Sequence, residues 1–341
     1  MEKKSGEHTD QYAQNIRYLV TGAGGHLGST ILRFLSQESC EVYGLLFPGE
    51  KPKITAANIR YFEGDIRDQE SLRPFFENPD RKRVIVIHAA AMISISQKLT
   101  AAIYAVNVTG VRNVLQLCQE YRVERLVHVS SVHALPELPH GEVIREVDHF
   151  SPELVRGGYA KTKAEAAQAV LDAVSDGLNA VLVFPSGILG PYDNGQNHIV
   201  QMIADYLHGK LPACVQGRYN FVDVRDVAAG CIAAAGYGRR GACYLLTGEE
   251  YTIPEILDMV AQQTGQKKVA ALPIRVAKLA VPFFAIAAKI RHQRPLFTGY
   301  SLYTLQSNCT FSNEKAKREL GFTTRNKKET ITDMTKWLER G

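Results

Sequence analysis

The sequence lacks paired cysteines, a long apolar run and any block of like charge, and each absence removes a class of protein. Its six cysteines, Cys40, Cys118, Cys214, Cys231, Cys243 and Cys309, are scattered without C-x-x-C spacing. That argues against a zinc site, any other metal centre or a disulfide framework, and it suits a reducing, cytoplasmic setting. The 40 basic and 35 acidic residues, a formal charge of +5, are spread along the chain, so no clustered basic footprint for a nucleic acid exists. Met1 to Gln14 is polar and charged, with no apolar stretch of a secretory signal, and reads as a disordered tail. The most apolar late segment, Val276 to Ile290, is broken by Lys278, Pro282 and Lys289 and is too short for a transmembrane segment. It reads as core helix in preference to a membrane-surface patch. No internal repeat is present.

What is present is ordinary globular material, 45% hydrophobic and 22% charged over 341 residues, enough for one large α/β domain with a smaller lobe. Short β-rich runs at Arg17 to Val20, Glu41 to Leu46, Ile59 to Glu63, Val84 to His88, Arg125 to Ser130 and Ala180 to Phe184 alternate with helical patterns such as Leu27 to Leu35 and Val106 to Cys118. That order predicts βαβ units and a parallel sheet with helices on both faces. The division expected is a tail at 1–14, a dinucleotide-binding domain at 15–190, and a substrate lobe at 191–341 interleaved with returning sheet elements.

The first strand runs into Thr21-Gly22-Ala23-Gly24-Gly25-His26-Leu27-Gly28 and then a helix. Glycines at 22, 25 and 28 allow a tight turn and close backbone approach to a pyrophosphate, which the helix N-terminus favours by its free N–H groups and partial positive charge. The fold class is therefore a Rossmann-type, doubly wound parallel sheet. The acid expected at the end of the second strand to hold the adenosine ribose is missing, because Leu45, Leu46, Phe47 and Pro48 stand there. Lys51 and Lys53 are within reach of a 2′-phosphate, yet loop lysines are commonly just solvated, so NAD and NADP both stay open. Asp65, in Gly64-Asp65-Ile66-Arg67-Asp68, either faces the adenine or caps the next helix.

Tyr159 and Lys163 lie four apart at the start of an Ala-rich helical pattern, on one helix face. A free tyrosine titrates near 10, and a neighbouring ammonium favours its phenolate, so the pair can act in proton transfer. Tyr and Lys at that spacing are also common surface neighbours; the weight comes from their company. Ser131 sits at the end of the fifth strand, where ligands collect in open parallel sheets. Asn107 lies inside a helical pattern, where asparagine is unfavourable enough to suggest a specific partner.

Taken together, these residues resemble the extended short-chain dehydrogenase/reductase superfamily from Arg17 to about Phe322. The carrying motifs are T-G-A-G-G-H-L-G at 21–28, G-D-I-R-D at 64–68, H-A-A-A at 88–91, V-N-V-T-G at 106–110, V-S-S at 129–131, Y-A-K-T-K at 159–163, P-S-G-I-L-G-P at 185–191 and F-V-D-V-R-D-V-A at 221–228. The resemblance implies Ser131, Tyr159 and Lys163 as a catalytic triad with Asn107 as fourth member. It implies cofactor contacts from Gly22, Gly25, His26, Leu27, Gly28, Asp65, Ile66, Ala89, Ala90, Ala91, Lys163, Pro185 and Ile188. Phe184 departs from the Arg frequent before that Pro. The P-S-G-I-L-G-P segment looks like the branch of dihydroflavonol reductases and 3β-hydroxysteroid dehydrogenases, which act on bulky apolar ketones and alcohols. Nucleotide-sugar epimerases and dehydratases are the alternative, and Arg218 lies near, though out of register with, the Arg with which they hold a diphosphate. A catalytically idle dinucleotide-binding regulator is the third reading. The partners expected are a small-molecule substrate and, in a homodimer, a second copy of the chain.

Overall fold

The computed structural model describes residues 15–95, 97–193, 197–279 and 298–340. The tail at 1–14 and residues 280–290 of the late apolar segment lie outside the described residues. The strands are β1 Ile16–Thr21, β2 Glu41–Leu46, β3 Ile59–Glu63, β4 Arg83–His88, β5 Arg125–Val129, β6 Ala180–Pro185, β7 Gly187–Leu189, β8 Ala213–Val215, β9 Arg218–Asp223, β10 Cys243–Leu246, β11 Glu249–Thr252 and β12 Ala270–Leu272. The helices that matter below are α1 His26–Leu35, α2 Gln69–Phe76, α3 Ala101–Tyr104, α4 Gly110–Glu120, α5 Gly158–Ser175, α6 His198–Leu207, α7 Val224–Tyr237 and α8 Ile253–Thr264.

Seven strands pair in the order β10-β6-β5-β4-β1-β2-β3, every neighbouring pair parallel. The six strands expected from the sequence supply six of these, and β10 returns late in the chain to extend the β6 edge. Strand side chains alternate between faces. Leu19, Leu45, Leu126 and Leu182 join the core with α2, α4 and α5, whereas Val20, Leu46, Val127 and Val183 join the opposite core with α1 and α7. Both faces being covered explains why these strands read as nearly unbroken apolar runs. The order changes direction between β1 and β4, which opens a crevice at the carboxyl ends of those strands.

A three-stranded sheet, β11-β9-β7, and a two-stranded one, β12-β8, sit beyond that edge with α6 and α8. Ile203, Tyr206, Tyr219, Phe221, Ile256 and Leu257 from these elements share one apolar core with Leu182 and Phe184 of β6. The lobe is thereby welded to the sheet.

The crevice is shaped by how tightly α1 lies on the turn before it. Gly22 has φ +71°, a region that favours glycine. A Cβ on Gly28 would stand 2.0 Å from the Gly22 carbonyl oxygen, so no side chain fits there. Gly25 differs: its backbone is ordinary extended (φ −76°, ψ 173°), and a Cβ would meet only the Gly22 oxygen, at 3.2 Å. We expect Gly28→Ala to cost at least about 3 kcal/mol, the upper end for overpacking, because it strikes backbone, and Gly25→Ala to cost less than about 1 kcal/mol. Urea unfolding without added dinucleotide measures both, and a Gly28→Ala protein as stable as its parent would refute the packing argument.

Candidate active site

Above the crevice, the loop from Gly22 to Gly28 fits a pyrophosphate. The open side of Gly25 leaves room for it, and α1 offers the free N–H groups of its first turn. Ala89 to Ala91 run along this turn: the Ala90 amide donates to Thr21 Oγ1 at 3.2 Å, and Ala90 Cα lies 2.9 Å from where a Gly22 Cβ would be. The other residues of the expected cofactor set face the protein with their side chains. His26 Nε2 meets the Pro191 carbonyl at 2.8 Å, bracing the loop against the segment after β7. Leu27 is buried in the core under α1. Ile66 packs against Gly110, where a Cβ would come within 2.7 Å of it. Asp65 neither caps α2 nor faces outward alone: both its oxygens accept from the Arg67 guanidinium at 2.9 Å, and Asp68 caps α2 by accepting from Glu70 N. Pro185 closes β6, and Ile188 belongs to β7, pairing with Val222 of β9.

Ser131, Tyr159 and Lys163, the residues expected to serve proton transfer, converge at the end of β5. Tyr159, Lys163 and Ser131 are all buried, at 7%, 4% and 7% exposure, in a place where charge is costly. Lys163 Nζ donates to the Val129 carbonyl at 3.0 Å. Burial pulls the lysine down to about 8. Burial likewise pushes Tyr159 up to about 12, against a lowering hydrogen bond from Ser131. The lowering that the sequence spacing predicts from Lys163 is not among the influences on Tyr159, and the ammonium is turned to Val129. Beneath Lys163, His88 and His128 stack on adjacent strands, ring centres 5.6 Å apart. Burial first, and then the Lys163 charge, drive His88 down to about 3 and His128 well below its usual value, so both are neutral.

Asn107 has the specific partner its position called for. It lies in a π-helical turn, Ala105–Thr109, between α3 and α4, a feature common near functional sites. Its amide accepts from Met92 N at 2.8 Å and donates to Met92 O at 2.9 Å and to Thr162 Oγ1 at 3.1 Å. Thr162 in turn donates to the Tyr159 carbonyl at 2.7 Å. Asn107 therefore ties the segment after β4 to the helix that carries Tyr159.

His133 and Tyr219, not anticipated from sequence, and Tyr300, within the Ala271 to Leu305 region expected to line a pocket, complete the surroundings. His133 lies edge-on to Tyr159 with ring centres 5.9 Å apart, stacks on Tyr219 and shares a 3.0 Å hydrogen bond between its Nε2 and the Tyr219 hydroxyl. Burial pulls it down to about 4, so it is neutral. Tyr300 closes over Gly157 and donates to the Arg156 carbonyl at 2.9 Å. His133 was discoverable, two residues past Ser131; Tyr219 and Tyr300 carry no local signal. A cavity of about 520 Å³ opens beside the start of α5, lined by Gln97, Leu99, Val155, Arg156, Gly157, Gly158 and Lys161. Arg218 is elsewhere, exposed at the start of β9 and 3.5 Å from Glu250. Among the described residues no His, Cys, Asp and Glu cluster could hold a metal, and no helix is long and apolar enough to cross a membrane.

Residues 18–248 match the family model described as NAD dependent epimerase/dehydratase family. The chain belongs to that family, within the extended short-chain dehydrogenase/reductases. Among its relatives is sterol demethylase protein B of Methylococcus capsulatus, 31% identical with 95% of this chain and 98% of that one covered. Another is the 4-hydroxy-2-methyl-3-oxo-4-farnesyl-3,4-dihydroquinoline-1-oxide ketoreductase of Stigmatella aurantiaca, 29% identical with 90% and 92% covered. The crystal structure of gox2253 superposes with a TM-score of 0.79 at 30% identity, covering 95% and 98% of the two chains.

The buried ammonium makes stability depend on pH. Burial makes Lys163 titrate lower in the folded chain, at about 8, than the ordinary lysine value of 10.5. The folded state therefore binds fewer protons between those values, and stability rises with pH across that window. Below it the charge costs about 3 kcal/mol, partly offset by the bond to Val129. Lys163→Met should accordingly make the dinucleotide-free protein about 1–2 kcal/mol more stable at pH 7, an advantage that fades by pH 10. Urea titrations at the two pH values decide it; a gap that widens with pH would contradict the burial argument.

Proposed function

We propose that the protein is an NAD(P)-dependent oxidoreductase that moves a hydride between nicotinamide and a secondary alcohol or ketone on a bulky apolar molecule such as a steroid or flavonoid-like compound. The observation that carries this reading is the wall around Tyr159. His133, Tyr219 and Tyr300 make it aromatic, and burial keeps His133 neutral and holds the two phenols protonated. The names of the two relatives, a sterol protein and a farnesylated-ring ketoreductase, point the same way.

When bound, the dinucleotide supplies or accepts the hydride. Tyr159 gives its hydroxyl proton to the carbonyl oxygen as that oxygen becomes an alcohol, and takes it back in the reverse direction. Because burial holds Tyr159 at about 12, the hydroxyl keeps its proton at neutral pH and is ready as the acid of the reductive direction. Ser131 holds the same substrate oxygen by a hydrogen bond. Lys163 binds the cofactor's ribose hydroxyls, and Asn107 keeps helix α5 in place through Thr162. Tyr159→Phe should leave dinucleotide affinity within a few-fold and lower turnover at least 100-fold, since it deletes the proton donor and keeps the ring. Near-normal turnover of Tyr159→Phe on any substrate of a steroid, flavonoid and sugar-nucleotide panel would overturn the assignment.

A nucleotide-sugar epimerase or dehydratase is the second reading, favoured by one observation: Arg156 and Lys161 border the cavity. Arg218 does not serve it, for alternation along β9 sends Tyr219 to the site and Arg218 to solvent. Arg156 is the cation that a diphosphate would use. On the proposed reading Arg156→Ala changes KM for the best apolar substrate less than about threefold. A rise of about 100-fold on a sugar nucleotide, the 2 to 3 kcal/mol of a lost charge-assisted bond, would move the protein to the other branch.

A further inference from the structure

The end of β2 carries no acid, yet the structure brings one there from farther along. Phe47-Pro48-Gly49-Glu50 folds as a tight turn: Glu50 N donates to Phe47 O at 2.9 Å, with Gly49 at φ +84°. The Glu50 side chain then bends back, and its Oε2 accepts from Phe47 N at 3.0 Å. This places the carboxylate directly on the glycine loop. A Cβ on Gly24 would lie 2.6 Å from Glu50 Oε2, 3.0 Å from its Cδ and 3.4 Å from Oε1. In sheets of this topology the adenosine ribose lies at the carboxyl end of the second strand, beside the pyrophosphate turn, and an acid there accepts from its 2′-hydroxyl.

The geometry points to Glu50 as the residue that selects NAD over NADP, accepting from the free ribose hydroxyl and repelling a 2′-phosphate. The inference rests on the dinucleotide site described above and adds to it the choice between the two cofactors. The position after the strand where an arginine would receive the extra phosphate is held by Phe47, whose ring is half exposed. The nearest guanidinium, Arg67, stands 5.8 Å from the centre of that ring, but both oxygens of Asp65 already engage it. Lys51 and Lys53 follow Glu50 on exposed chain, and Lys53 is near enough to His26 of the glycine loop to act on it electrostatically. A phosphate carrying close to two negative charges would meet the Glu50 carboxylate where it lies against Gly24 of the glycine loop. Glutamate is the better fit to a diol, since both its oxygens are acceptors.

The test is calorimetric titration of the full chain with NAD+ and with NADP+, which reads binding and needs no turnover. The wild-type protein should bind NAD+ at least tenfold more tightly than NADP+. Glu50→Gln keeps the shape and removes the charge; it should tighten NADP+ and weaken NAD+ until the two lie within about threefold. Because Glu50 is exposed, thermal unfolding without dinucleotide should move by less than 2 °C, of the order expected for a surface change. Equal or tighter binding of NADP+ by the wild-type chain would overturn the assignment, as would a preference unchanged in Glu50→Gln. Failure of the wild-type chain to bind either dinucleotide would overturn the site itself, a different outcome from a lost preference.

Discussion

The hydrogen bond from Lys163 to the Val129 carbonyl is the point on which the site turns. A charged amine is carried into the core by a helix whose small residues, Ala160, Ala164, Ala166 and Ala167, let it lie close against the sheet. Inside, it can be satisfied only where a strand ends and leaves a carbonyl without a ladder partner. That place is the carboxyl edge of β5, next to Ser131. Burying Lys163 there fixes Tyr159 one turn earlier on the same helix face, and its charge adds to the burial that keeps the neighbouring histidines of β4 and β5 neutral. Placement, charge state and stability thus follow from one contact.

What the sequence revealed was whatever depends on local spacing. Period-2 and period-3.6 patterns located β1 to β6 and α1, since burial on both faces writes itself into apolar runs. The turn from Gly22 to Gly28 and the placing of Tyr159 and Lys163 on one helix were legible because each is a short-range arrangement. Asn107 was legible as an anomaly: an unfavourable residue in a helix needs a partner, although sequence alone could not name Met92. Glu50 was invisible for a different reason. Its position is set by a turn and a side-chain conformer, so an acid four residues beyond the strand end takes a place that strand register assigns to Leu46 or Phe47. Asp65 reads from the sequence as facing the adenine or capping a helix, and the pairing with its neighbour Arg67 is not part of that reading. Tyr219 and Tyr300 approach Tyr159 only through tertiary packing, which no interval along the chain encodes.

The lobe illustrates why fold and chemistry separate in this family. Its strands and helices share one core with β6, which holds Tyr219 of β9, stacked on His133, in a fixed relation to the sheet. Changing the substrate requires altering side chains on that wall and leaves Ser131, Tyr159 and Lys163 untouched, consistent with a fold that hosts many reactions.

The π-helical turn at Ala105–Thr109 has a consequence for phase. An α-helix advances about 100° per residue, so Tyr104 and Arg112, eight residues apart, would diverge by about 80° on an uninterrupted helix. A π turn absorbs roughly one extra residue, leaving an effective seven and a divergence of about 20°. The two side chains then rise on the same line. Both end on one oxygen of Glu165, at 2.7 Å from the Tyr104 hydroxyl and 2.9 Å from the Arg112 guanidinium. Glu165 is two residues past Lys163, so the irregular turn works as a vernier: it lets two helical segments of different phase grip the same point of the helix that carries Tyr159.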